Sequence, residues 1–234
     1  MNEMLSDKKV SSDSDLQDFK QSFRAIALHR SSIYAWFSDC IALEHSAENL
    51  ASYNEPSATV LWRALGFCGL QNEATRLQSA LLQLSGMPDA QLELAADFAS
   101  AFLLSAEACA TPYASWYLEA DKRMYGKPAA HMKAFLAENH LQLDSKFREP
   151  ADHLAVFLGF LSHWVETSAT TPIESVSEVA LLQGDFIQTA LLSWVPLWAG
   201  RCQSLSLKTD VYPAFASLLS AFLAADVEYL SEVR

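Results

Sequence analysis

The chain has 234 residues, enough for one domain or two small ones, and 51% of them are hydrophobic, ample for a buried core. A formal net charge of −12 speaks against binding to nucleic acid or an anionic membrane surface, since both need a basic face, and its natural complement is a basic partner. Seven glycines, eight prolines and long Ala/Leu-rich runs describe helices joined by short loops, so an all-α protein of about ten helices is expected.

Met1–Asp15 is polar and lacks the apolar run of an export signal, which predicts a frayed N-terminus on a cytoplasmic protein. From Leu16, the residues Leu16, Phe19, Phe23, Ile26, Ile33, Phe37 and Ile41 recur at helical steps or their sums and predict an amphipathic helix. Tyr34 and Trp36 flank this stripe; packing is their simplest role, and a peptide groove is the alternative. After a polar stretch over Glu44–Pro56, helices are expected over Ala58–Leu65 and Asn72–Leu84. Ser85-Gly86-Met87-Pro88-Asp89 then stops one helix and starts the next. The helix from Ala90 to about Leu104 is apolar almost all round and is expected at the centre of the N-terminal half; Asp97 within it needs a hydrogen-bond donor.

Thr111-Pro112-Tyr113-Ala114-Ser115-Trp116-Tyr117 is a loop or short helical turn dense in aromatics, readable as a cover on the core or as a recognition surface. Tyr125-Gly126-Lys127-Pro128 lacks the glycine spacing and the hydroxyl after lysine that cradle phosphate, so no nucleotide loop is assigned. A helix over Pro128–Asn139 leads into the polar connection His140–Arg148. That connection divides the chain into a helical half over 1–140, a hinge over 141–150 and a second helical half over 151–234.

Phe147-Arg148-Glu149-Pro150-Ala151-Asp152-His153-Leu154 opens the most apolar helix of the second half. Pro150 suits a first helical turn, which places Glu149 at the N-cap, Asp152 at the third position and His153 at the fourth, one turn from Glu149. Capping is the plain reading of these carboxylates. The alternative puts Asp152 and His153 on a partner-binding surface, since capping alone does not require a histidine after the aspartate. Leu154, Phe157, Leu158, Leu161, Trp164 and Val165 form one apolar face that His163 adjoins. A helix from about Ile173 to Ser193 follows, then a new one with Pro196 in its first turn, and a last one over Val211–Val233. The uncharged run Phe186–Gly200 is interrupted by Pro196 and shorter than the ~20 residues of a membrane span. Cys40, Cys68, Cys109 and Cys202 are isolated, with no zinc spacing, and read as reduced thiols, mostly buried; neither a metal nor another cofactor is expected.

Three ordered motifs carry a resemblance: Leu92-Glu-Leu-Ala-Ala-Asp-Phe98, Pro-Tyr-x-Ser-x-Tyr at Pro112–Tyr117, and Glu-Pro-x-Asp-His at Glu149–His153, with Trp194-x-Pro196 ahead of Arg201-Cys202 as a late fourth. Together they resemble the TorD/DmsD/NarJ family of cytoplasmic chaperones for molybdenum-containing oxidoreductases over about Leu92–Leu219, closest to its TorD branch. The resemblance implies an all-helical protein without turnover. It would bind the twin-arginine signal peptide and the apo form of a client, trimethylamine N-oxide reductase or a related enzyme, until the molybdenum cofactor is inserted. Glu149, Pro150, Asp152, His153, Tyr113, Ser115 and Tyr117 become candidate partner-binding residues. Family members occur as monomers and as dimers, some of them domain-exchanged, and exchange about the hinge is expected here. Two other readings stand beside this one. The first is a helical scaffold without a peptide groove. The second is an acid/base enzyme using His153 or His163 with Glu149 or Asp152, disfavoured because no substrate-orienting motif accompanies the pair.

Overall fold

The apolar stripe of the first helix becomes the spine of the molecule. In the computed structural model, which describes residues 3–233, α1 spans Glu3–Ala42 and buries Phe23, Ile33, Phe37 and Ile41 along one face. The helix starts at Glu3 where a frayed end over Met1–Asp15 was expected. Once a packed segment has nucleated a helix, each further residue adds a hydrogen bond at little cost. The side chains of residues 1–16, Asp18 and Lys20, and with them the place of Leu16 in the stripe, lie outside the described residues.

Ten further α-helices follow among the described residues. They are α2 (Ala47–Ser52), α3 (Ala58–Phe67), α4 (Gln71–Ser85), α5 (Ala90–Phe98), α6 (Ala114–Leu118), α7 (Lys127–Glu138), α8 (Leu154–Ser168), α9 (Val176–Phe186), α10 (Val195–Gln203) and α11 (Val211–Glu232). The all-α expectation holds. The helix expected over Ile173–Ser193 is built in three pieces, a 3-10 turn at Ile173–Ser175, α9, and a π-helical turn at Ile187–Leu191. A second π-helical turn, Ala99–Leu103, continues α5.

Helix α1 lies along α8 with small residues between them. Ser38 Oγ donates to the Ala155 carbonyl at 2.9 Å and Ser162 Oγ to the Ser31 carbonyl at 3.0 Å, while a Cβ at Gly159 would stand 3.4 Å from Ser38 Oγ. On its other side α1 meets α11, where Tyr34 and Phe37 pack edge-on and tilted against Phe222. Tyr34 is fully buried and Trp36 partly so, as the packing reading requires. One core results, drawing Leu65, Leu77 and Leu94 from one half of the sequence and Leu154, Trp194 and Phe222 from the other.

The bundle as a whole centres on α1, α8 and α11; α5 buries Leu94, Asp97 and Phe98 but is not buried all round, since its Leu92 stands exposed. Asp97 has found its donors: the backbone N–H groups of Lys208 and Thr209 give 2.8 Å bonds to its two oxygens, so its role is structural. A buried polar knot that the periodicity did not flag ties α1 to α9 and α11. Arg30 donates from Nε and Nη2 to the Asp226 carboxylate at 2.5 and 2.8 Å and from Nη1 to Gln183 at 3.1 Å, and Tyr34 Oη donates to Asp226 at 2.6 Å. Helix α11 is long and apolar enough to cross a membrane by length and composition, but half of that stretch is buried in the core, as befits a core helix.

Candidate functional site

The two aromatic and acidic motifs, nearly forty positions apart, are bound to one another. Ala114 N–H donates to the Asp152 carbonyl at 3.1 Å and Leu154 N–H to the Pro112 carbonyl at 2.8 Å, forming an antiparallel bridge between Tyr113 and His153. This isolated bridge is the one β feature among the described residues. Asp152 completes the lock: one carboxylate oxygen accepts from Ser115 N–H at 2.8 Å and from Ser115 Oγ at 2.5 Å, and Ser115 Oγ in turn accepts from Gly126 N–H at 3.1 Å.

The lock corrects the helix start expected from the sequence. Helix α8 begins at Leu154 with His153 as its N-cap, and Glu149–Asp152 form the turn before it, closed by His153 N–H donating to the Pro150 carbonyl at 3.0 Å. Glu149 is therefore not the N-cap, Pro150 is not in the first helical turn, and Asp152 precedes the N-cap rather than standing at the third helical position. Pairing with the Pro112–Ser115 segment holds His153 extended and engages the Asp152 carbonyl, and a helix cannot run through residues whose backbone groups are bonded elsewhere.

Burial corrects a second expectation. Asp152 is 0% exposed and His153 4%, so neither presents its side chain on a partner-binding surface; Ser115 is buried with them. His153 Nδ1 accepts from Ala155 N–H at 3.1 Å, and its ring lies edge-on between Tyr113 and Phe147, with centroids 5.1 and 5.4 Å away. Burial pushes its imidazole down to about 4. A ring capped on one nitrogen and enclosed by aromatics is a structural pin, which counts against the acid/base reading. His163 is exposed on α8.

The remaining candidates stand nearer the surface. Tyr113 Oη donates to Glu149 Oε2 at 2.5 Å, and desolvation followed by that bond raises the Tyr113 phenol. Glu149 is exposed and Pro150 half-buried. Tyr117 is half-buried and stacks on Trp194 at 5.6 Å, and its Oη finds no hydrogen-bond partner among the described residues. Three of the four cysteines are buried, Cys68 is exposed, and all four are free.

Helix α6, set in place by the Ser115–Asp152 lock, forms one wall of an open groove of about 850 Å³. Trp116, Tyr117, Ala120 and Leu197 supply its apolar surface; Glu107, Asp121, Lys122 and Arg201 supply its charges. Arg201 is tied down, donating from Nη2 to the Glu107 carbonyl at 2.5 Å and from Nε to the Cys109 carbonyl at 3.3 Å. Sequence reasoning singled out Tyr117 but missed Trp116, Asp121 and Lys122 as groove residues. The available signal was the indole inside the Pro-Tyr-x-Ser-x-Tyr motif and the cation pair Lys122-Arg123 soon after it in an acidic chain.

A family model described as the nitrate reductase delta subunit matches residues 69–200, a stretch holding both motifs and most of the groove. A chaperone protein TorD from Psychrobacter sp. (strain PRwf-1) is 41% identical over 215 residues, which is 91% of this chain and 96% of the relative. The chain belongs to the TorD family. The chaperone protein TorD of Vibrio parahaemolyticus is 38% identical over 90% of this chain and 98% of its own, and that of Shewanella amazonensis 36% over 86% and 92%. TorD kinship thus extends beyond the Leu92–Leu219 stretch to nearly the whole chain. The TorD relatives are named as chaperones, so the non-enzymatic reading rests on kinship as well as on the enclosed state of His153.

Proposed function

We propose that this TorD-family chain is a cytoplasmic maturation chaperone. It binds the twin-arginine signal peptide and the apo form of a molybdenum-cofactor oxidoreductase, a client of the trimethylamine N-oxide reductase type, until the cofactor is in place. The observation that carries this reading is the groove beside the motif lock, where an indole, a phenol and Leu197 lie next to the carboxylates of Glu107 and Asp121. A twin-arginine peptide has a basic head and an apolar run, and its receptor needs carboxylates beside apolar surface. In this reading Asp152, His153 and Ser115 act from within by positioning α6, while Tyr113, Tyr117, Glu149 and Pro150 are the motif residues within a client's reach. The net charge of −12 favours a basic ligand and disfavours nucleic acid.

Pull-down of a signal-bearing client, set against the same client without its signal, tests the proposal. Retention that depends on the signal is expected; equal retention returns the chain to a helical scaffold. Affinity for the signal peptide should also fall between low and high salt, because exposed charges are screened over ~8 Å at physiological ionic strength. Equal affinities at both would remove the electrostatic half of the proposal.

A further inference from the structure

Two binding elements of the groove are already engaged by cations of the chain itself. Lys122 Nζ lies over the face of Trp116, 5.4 Å from the ring centroid and within cation–π range. The next residue, Arg123, pairs through Nε with the carboxylate of Asp121. Arg201, the other groove cation, is held by the carbonyls of Glu107 and Cys109 and leaves the indole face to Lys122. The cation pair sits on a tight turn. Lys122 N–H donates to the Glu119 carbonyl at 3.1 Å, and Lys122 and Tyr125 have φ of 50° and 59°, in the left-handed region that residues with side chains rarely adopt. After the pair come Met124, half-buried, and Tyr125, 72% exposed. The order is that of a basic head followed by an apolar start.

We propose that Lys122-Arg123 is an internal surrogate for the paired arginines of the client peptide, resting on Trp116 and Asp121 while the groove is empty and displaced when the peptide docks. The inference rests on the peptide-binding reading above and adds to it where the basic head lands and what it must displace. Both internal contacts are exposed to water, where cation–π and ion pairs are individually weak, so the surrogate leaves readily. A lone lysine gains nothing by replacing Lys122. Two adjacent arginines replace both cations together, and the planar guanidinium stacks on the indole better than an ammonium does. The surrogate is therefore a selectivity device as well as a cover.

The test uses the full chain and a fluorescent synthetic peptide of two adjacent arginines followed by a Leu/Ala run, with a second peptide carrying glutamines in place of the arginines, both read by anisotropy. Lys122→Gln should bind the diarginine peptide about two- to fivefold more tightly, the equilibrium weight of one exposed cation–π contact, and leave the diglutamine peptide unchanged. Lys122→Arg keeps the charge and should bind it more weakly than the parent chain. In a Trp116→Leu background the gain from Lys122→Gln should vanish; Trp116→Phe, which keeps a smaller ring, should retain part of it and guards against a folding defect in the leucine variant. A gain that persists without the indole, or that appears equally for both peptides, means long-range charge and overturns the surrogate. Binding by the parent chain that Lys122→Gln does not change overturns the surrogate alone. Absence of diarginine binding in every variant overturns the peptide reading and the surrogate with it.

Discussion

Asp152 and His153 are buried, and the consequences of changing them are read first in stability. Asp152→Ala strands the buried Ser115 N–H, and losing a bond to a charged acceptor costs about 1.5–3 kcal/mol. For a chain of this length the Tm should fall by about 3–12 °C. Affinity for a client peptide should fall with it, because the same bond sets α6 against the groove; lost affinity at unchanged Tm, measured by calorimetry, would restore a direct surface role. His153 predicts a pH dependence. Burial pushes it down to about 4, below the 6.5 of a free imidazole. The unfolded chain then takes up a proton between pH 6.5 and 4 that the folded chain refuses. Stability is complete above that window and is lost as pH falls through it, by up to about 3 kcal/mol. His45, also pushed down by burial, adds in the same direction. His153→Asn keeps an N-cap acceptor without the titration, so urea unfolding at pH 7 and pH 5 should show a smaller loss than in the parent chain.

Among elements, the α1–α8 seam is the most exacting. Serines and Gly159 let two long helices approach, and a Cβ at Gly159 already meets Ser38 Oγ at 3.4 Å. Gly159→Leu must push the helices apart or force its side chain off rotamer, at a cost of about 1–3 kcal/mol, readable as a lower urea midpoint with unchanged helical circular dichroism. Gly159→Ala should be nearly neutral, because its gain in helix propensity of about 1 kcal/mol offsets a tight contact. The Pro112–Ser115 bridge to Asp152–Leu154 plays a similar part between elements, since it decides where α8 begins and how α6 faces the groove.

At the scale of the whole molecule, a single core draws on both sides of the connection over 141–150. Contacts of that kind can be made within one chain or between two. We expect a monomer–dimer mixture formed by exchange about Leu141–Pro150, where Pro150 biases Glu149 toward an extended backbone. Inserting flexible residues into that segment should shift the mixture toward monomer. Light scattering that finds one species, unmoved by the insertion or by the concentration at which the protein was prepared, would count against exchange.

The sequence by itself determined most of the helices, though not α2, which lies in the stretch read only as polar. Leucine and phenylalanine at helical spacing have one stable arrangement, so the bounds expected for α3, α4, α7 and α11 agree with those observed to within about two residues, and Pro196 stands in the first turn of α10 as expected. It also determined the family, through short motifs whose order could be read along the chain. Only the tertiary structure decided where the motif residues lie and what they bond to. Glu149-Pro150-Ala151-Asp152 has good helix-starting chemistry, yet bonds from Pro112, Ala114 and Ser115, remote in sequence, hold it in a turn and take Asp152 into the interior. The knot of Arg30, Asp226 and Gln183 was invisible for the same reason: each lies on its own helix as an ordinary polar residue until packing brings the three together. Local patterns report the period of a segment, whereas burial and partners depend on which segments meet, and a buried polar group is placed by the partner that satisfies it.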